Sequence, residues 1–65
     1  MQIDLNGTRY DIGAASLAEV LAELGYGGAA VATAVNGAFI PASARPTTPV
    51  QEGDRIEVLA PMQGG

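Results

Sequence analysis

The chain has 65 residues, so it forms one small domain, and a chain of this length buries roughly 60% of the surface that it exposes when unfolded. It contains neither cysteine nor histidine, which excludes disulfides, thiolate metal sites, thiol nucleophiles and the commonest general base. The net charge of −4 disfavours binding to nucleic acid or to anionic membranes, and it suits a partner protein with a basic face.

The first predicted elements are two strands that form a β-hairpin. Residues 2–5 alternate polar and apolar side chains, and residues 8–12 alternate again, which is typical of strands with one buried face. Asn6-Gly7 between them favours a tight hairpin turn, because both residues tolerate positive φ. Ile3 and Leu5 are predicted to share one face of the first strand, and Tyr10 and Ile12 are predicted to share one face of the second.

A short amphipathic helix is predicted next. Ser16 and Glu19 have the spacing of a capping box, in which the serine side chain accepts from an unpaired N–H and the glutamate reaches back. Gly25 stands where a left-handed C-cap is favoured. The helix would have about nine residues and would not be stable alone, so its apolar stripe must pack on a sheet. That stripe consists of Leu17, Val20, Leu21 and Leu24.

Three more strands are predicted in the second half of the chain. Residues 31–35 and 38–41 flank a second Asn-Gly turn, and residues 55–59 alternate after the turn at 51–54. The segment 42–49 has three hydroxyl side chains and two prolines, which predicts an irregular surface connector.

The order of these elements predicts an α+β domain of two layers. The helix can bury its stripe only across one face of a mixed sheet of four to five strands, and this arrangement is a β-grasp fold. In it the last strand lies beside the first, and both are central and parallel. We predict that the domain spans residues 1–60 and that residues 61–65 form a flexible C-terminal tail ending in two glycines.

Three segments of the chain resemble the ThiS-type sulfur carriers of thiamine biosynthesis, which have a ubiquitin-like β-grasp fold. They are Val35–Pro41, Glu52–Val58 and the tail Met62–Gly65. The similarity covers the whole chain in length and in element order. Members of the family often have an arginine directly after the proline that matches Pro41, whereas here three residues precede Arg45.

The resemblance implies a chemistry for the tail. The carboxylate of Gly65 would be adenylated by a ThiF-type enzyme that uses ATP and Mg²⁺, so this chain itself would bind no cofactor. A cysteine-derived sulfur donor would convert the adenylate to a thiocarboxylate, and a ThiG-type thiazole synthase would receive the sulfur. Gly64, Gln63 and Met62 would thread the partner's active site, where glycine offers clearance because it has no Cβ.

A docking surface is predicted near that tail. Leu59 is out of phase with the inward residues of the last strand, so it should face away from the helix, and Phe39 is a candidate to join it. We predict that these two side chains form a partner-docking patch. Five carboxylates are candidates to steer a basic partner: Asp4, Asp11, Glu52, Asp54 and Glu57.

Several functions remain open at this stage. The chain is predicted to be a carrier without catalytic residues or metal ligands, rather than an enzyme. Alternatives are the small subunit of molybdopterin synthase, which uses the same tail chemistry, a ubiquitin-like protein modifier, and a β-grasp interaction module with an inert tail. Neither a membrane span nor a signal-peptide pattern is present in the sequence, so we expect a cytoplasmic protein.

Overall fold

The computed structural model describes residues 1–27 and 30–60. The elements in chain order are β1 (Gln2–Leu5), β2 (Thr8–Asp11), α1 (Leu17–Glu23), β3 (Ala32–Val35), β4 (Ala38–Ile40), a 3₁₀ helix (Ala42–Thr47) and β5 (Arg55–Leu59). The predicted tail at residues 61–65 lies outside the described residues, and its flexibility stays a prediction.

The strands of the described residues form a five-stranded mixed sheet in the order β2-β1-β5-β3-β4. β1 and β5 are parallel neighbours in the middle of the sheet, while the pairs β1–β2, β3–β4 and β3–β5 are antiparallel. α1 lies across one face. This arrangement confirms the predicted α+β, ubiquitin-like β-grasp fold, including the central position of the last strand beside the first.

Both Asn-Gly pairs form the predicted turns. Asn6 and Asn36 have φ of 52° and 50°, and the glycines that follow have φ of 83° and 86°. Positive φ at both central residues is what a type I′ hairpin requires. The turns set the register of both hairpins, and the first of them places Tyr10 opposite Ile3, so these two side chains lie on the same face of the sheet. Tyr10 is nevertheless 38% exposed, because β2 is an edge strand with a neighbouring strand on one side only.

The capping box is present at the start of α1. Glu19 N donates to Ser16 Oγ at 3.2 Å, and Ser16 N donates to Glu19 Oε1 at 3.1 Å. The helix has seven residues, fewer than predicted, because Leu24 is already the C-cap and Gly25 takes a φ of 92°. Three residues of the predicted stripe are buried and Leu24 is partly buried against them.

Loss of the cap should destabilise the domain measurably. Ser16→Ala removes an acceptor for the Glu19 N–H and is expected to cost about 1 kcal/mol of unfolding free energy. Urea denaturation followed by circular dichroism would measure this difference. Ser43→Ala is the matched control, since Ser43 is exposed on the 3₁₀ helix and its replacement should leave the free energy of unfolding unchanged. Equal effects of the two substitutions would contradict the role of the cap.

The core lies between α1 and the sheet. Its members are apolar, and each is at most 8% exposed: Ile3, Leu5, Ile12, Ala14, Leu17, Val20, Leu21, Val50, Ile56 and Val58. The central strands β1 and β5 supply four of them, which explains why the alternation in these two strands is so regular. This face of the sheet is therefore filled by the domain itself, and the opposite face is left for other contacts.

The connector after β4 differs from the irregular segment that was predicted. Residues 42–47 form a 3₁₀ helix that includes Pro46. Tertiary contacts hold it: Arg45 donates from Nη2 to Val31 O and from Nε to the buried Thr33 Oγ1 at 3.0 Å. Thr33 Oγ1 in turn donates to Ile40 O at 2.8 Å. A hydrogen-bond network across β3 and β4 thus orders a sequence that has no helical periodicity.

Candidate functional site

The last strand has one buried and one open face. Ile56 and Val58 point into the core and are 0% and 5% exposed, whereas Leu59 is 67% exposed. Because successive residues of a strand alternate between faces, Leu59 lies on the side of the sheet away from α1, as the sequence predicted. At the end of β5, Val58 is therefore buried in the core and the next residue, Leu59, lies on the open face.

Phe39 lies on the same open face. It pairs with Ala34 across β3 and β4, and Ala34 pairs with Glu57 of β5, so these side chains share one side of the sheet. Phe39 is 68% exposed, which is unusual for a large aromatic side chain. Ala32, the register partner of Leu59, completes the group. We call Ala32, Ala34, Phe39 and Leu59 the outer-face patch.

The two alanines give the outer-face patch its shape. Their small side chains leave a shallow depression of about 90 Å³ between the two larger apolar ones, with Glu57 at its margin. Sequence reasoning did not assign Ala32 and Ala34 to a surface. The signal was present, however, because these alanines alternate with the inward-facing Thr33 and Val35.

The end of β5 is held from both sides. Leu59 pairs with Ala32 of β3, and on the β1 side the side chain of Asn6 exchanges two hydrogen bonds with the backbone of Val58. Ala60 is the last described residue. The predicted site residues of the tail lie outside the described residues, so their roles stay predictions: Met62, Gln63, Gly64 and Gly65.

Most of the candidate steering carboxylates have local structural partners. Asp4 accepts from Gly7 N at 2.8 Å, Asp54 accepts from Gln51 N at 2.8 Å, and Glu52 accepts from Gln2 N at 2.9 Å. Asp11 forms an ion pair with the N-terminal ammonium group at 3.2 Å. These groups order turns and the N-terminus, and Glu57 is the candidate that borders the outer-face patch.

Two kinds of feature are absent from the described part of the chain. Within residues 1–27 and 30–60, no group of three or more His, Cys, Asp and Glu side chains is placed to hold a metal ion. Within the same ranges, no helix is both long and apolar enough to cross a bilayer. Among the described residues, the candidate site consists of the outer-face patch and the end of β5.

Comparison with known proteins identifies the family. The sequence model of the ThiS family matches residues 3–65. The chain belongs to the ThiS family. As a ThiS-family member it has the ubiquitin-like β-grasp fold and is a small sulfur carrier that works with the sulfur-transfer enzymes of thiamine biosynthesis, which confirms the resemblance seen in the sequence.

Solved ThiS structures support this assignment. The crystal structure of the thiamine biosynthesis protein ThiS from Geobacter metallireducens is 32% identical, with a TM-score of 0.85 over 100% of both chains. The solution structure of a thiamine biosynthesis protein from the same organism is 29% identical, with a TM-score of 0.75 over 100% of this chain and 88% of the other. No curated protein sequence gives a significant match.

Proposed function

We propose that this ThiS-family chain carries sulfur as a thiocarboxylate on Gly65 and delivers it to a ThiG-type thiazole synthase. The observation that carries the proposal is the extent of the family match, which runs from residue 3 through Gly65 and so includes the whole glycine-ended tail. The chain is then a protein co-substrate, not an enzyme. Its activation needs ATP, and for that reason we place it in the cytoplasm.

The proposed chemistry takes place on the terminal carboxylate. One carboxylate oxygen of Gly65 attacks the α-phosphate of ATP in the active site of a ThiF-type enzyme, and pyrophosphate leaves. A sulfide equivalent from a cysteine-derived donor then attacks the acyl carbon, and AMP leaves with that oxygen. The product is –C(O)S⁻, in which one oxygen of the carboxylate has been replaced by sulfur. All cofactors in these steps belong to the partner.

The two glycines of the tail suit this reaction because they have no side chains. Gly64 and Gly65 have no Cβ, so they pass a narrow channel and adopt extended or positive-φ conformations without strain. Gln63 and Met62 would contact the same channel. The chain also contains no lysine or cysteine, so no such side chain of a neighbouring copy can capture the activated acyl group.

We propose the outer-face patch as the docking surface for the ThiF-type enzyme. It exposes two large apolar side chains, lies on the sheet face that the core does not use, and contains Leu59 at the end of the strand that leads to the tail. Exposed apolar groups beside an active segment are typical of protein-binding surfaces. Glu57 at its margin would meet a basic residue of the partner.

A charge placed in the outer-face patch should block this docking. Leu59→Asp is expected to weaken binding to the ThiF-type enzyme by about tenfold or more, because docking would bury an unpaired carboxylate. Isothermal titration calorimetry would measure the dissociation constant, and circular dichroism would check the fold.

The matched control for this substitution is Gln51→Asp. It adds the same charge at an exposed position before the opposite end of β5. The dissociation constant should then stay within about twofold of that of the unchanged chain. If Leu59→Asp binds as well as Gln51→Asp, the outer-face patch is not the docking surface.

The alternative functions can be distinguished by the product that each one forms. Intact mass after incubation with ATP, Mg²⁺, a cysteine-derived sulfur source and cell extract should show the gain expected for replacing oxygen by sulfur. Conjugates on gels would instead indicate a protein modifier, and an unchanged mass would indicate an inert module. Transfer of the sulfur to a molybdopterin precursor rather than a thiazole precursor would indicate the molybdopterin pathway.

A further inference from the structure

The side chain of Asn6 contacts β5 at the point where the backbone of β1 turns away from it. The parallel register places Leu5 opposite Ile56. Asn6 N then donates to Ile56 O at 3.0 Å, and the chain enters the hairpin turn with a φ of 52° at Asn6. Since β5 continues to Leu59, its end extends beyond the backbone of its parallel partner.

The carboxamide of Asn6 continues the ladder across this gap. Val58 N donates to Asn6 Oδ1 at 2.9 Å, and Asn6 Nδ2 donates to Val58 O at 3.0 Å. A carboxamide carries the same kind of donor and acceptor as a peptide group, so it replaces the peptide group that a longer β1 would present. Both bonds are partly buried, so removing the side chain leaves two backbone groups of Val58 without this partner.

Asn36 provides an internal comparison. It occupies the same position of the second Asn-Gly turn, with a φ of 50°, and its Oδ1 accepts from Arg55 N at 2.9 Å. Asn36 Nδ2 also donates to Asp54 Oδ1 at 3.0 Å, so the two asparagines bond to opposite ends of β5, Asn6 through partly buried bonds and Asn36 through exposed ones. Asn36 acts at the first residue of the strand, and Asn6 acts next to the last, from which the chain continues toward the tail.

We propose that Asn6 is a positioning residue for the activation of Gly65, an inference that rests on the proposed function. By holding Val58, Asn6 fixes the point from which the tail starts and the direction of the adjacent Leu59 in the outer-face patch. Without the hydrogen bonds between Asn6 and Val58, the end of β5 is less ordered in the free protein and must become ordered when the partner docks. The ordering cost reduces affinity for the activating enzyme and leaves the chemical step unchanged.

The test compares Asn6→Gly with Asn36→Gly in the complete chain. Glycine adopts positive φ readily, so each variant keeps its turn and loses the side chain with its carboxamide, and the added backbone freedom is the same in both variants. The measurements are KM and kcat for pyrophosphate release with the ThiF-type enzyme of the same organism, the amide exchange rate of Val58, and the unfolding free energy of both variants.

We expect Asn6→Gly to raise KM about tenfold, the scale of losing its two partly buried hydrogen bonds to Val58, with kcat unchanged and faster exchange at Val58. Asn36→Gly should keep KM within about twofold, although it also removes two side-chain hydrogen bonds near the start of β5. Equal rises in KM for both variants, or an unchanged KM for Asn6→Gly, would overturn the positioning role. If the unchanged chain is not adenylated at all, the proposed function fails, and the positioning role fails with it.

Discussion

Removing Gly65 is expected to abolish formation of the thiocarboxylate and to leave the fold intact. The proposed reaction occurs on the carboxylate of this residue, and deletion moves the carboxylate back by one residue, about 3.5 Å along an extended chain. A displacement of that size takes the acyl carbon out of line with the α-phosphate, and misplacement by about 1 Å can already cost 100-fold in rate. Intact mass after incubation with the activating enzyme, ATP and the sulfur source would measure the conversion.

The control for this deletion is an alanine at a glycine that the proposal does not use. Gly13 has room for a Cβ, since nothing lies within 4 Å of that position, and Gly13→Ala should be converted to the same extent as the unchanged chain. The extent of conversion of Gly64→Ala should lie between those of the two other variants, because the added Cβ would narrow the clearance in the partner's channel. Full conversion of the chain that lacks Gly65 would contradict the proposed function.

Ile56→Ala is expected to unfold a large fraction of the protein. Ile56 is 0% exposed, lies in a central strand and belongs to the core. Truncation of a buried isoleucine to alanine costs about 2–5 kcal/mol, which includes the cavity that remains. A domain of this size has a total stability of only about 3–5 kcal/mol. Urea denaturation followed by circular dichroism, together with amide chemical-shift dispersion, would measure the loss.

Leu59→Ala is the matched control for Ile56→Ala. Both residues are in β5, but Leu59 is 67% exposed on the opposite face. Its truncation should change the unfolding free energy by no more than about 0.5 kcal/mol. The same substitution should weaken docking, so the two variants separate the role of the core from that of the outer-face patch. Equal destabilisation by both substitutions would show that the outer face is also required for folding.

Local sequence signals accounted for most of the fold. The Asn-Gly turns, the capping box and the alternation in β1 and β5 each depend on residues that are neighbours in sequence, and the structure confirms them. The parallel pairing of β1 with β5 followed from the order of the elements. The same alternation placed Leu59 on the face away from the helix, where it lies.

Features that depend on distant contacts were not predictable in the same way. The 3₁₀ helix is held by Arg45 bonding to β3, and nothing in the spacing of residues 42–47 indicates that bond. Tyr10 lies opposite Ile3 but is 38% exposed, because the exposure of a side chain depends on which strand forms the edge of the sheet. The hydrogen bonds between Asn6 and Val58 connect residues that are 52 positions apart, and no local sequence pattern predicts a contact at that distance.

The parallel contact between the first and last strands also determines when the domain can fold during its synthesis. β5 occupies the middle of the sheet yet is translated last, so the earlier strands cannot close their core while it is still inside the ribosome. Contacts between the two ends of a chain carry a high loop-closure entropy and form slowly. A nascent chain that lacks β5 therefore has neither the closed core nor Leu59 of the outer-face patch, so under our proposal it would not dock on the activating enzyme.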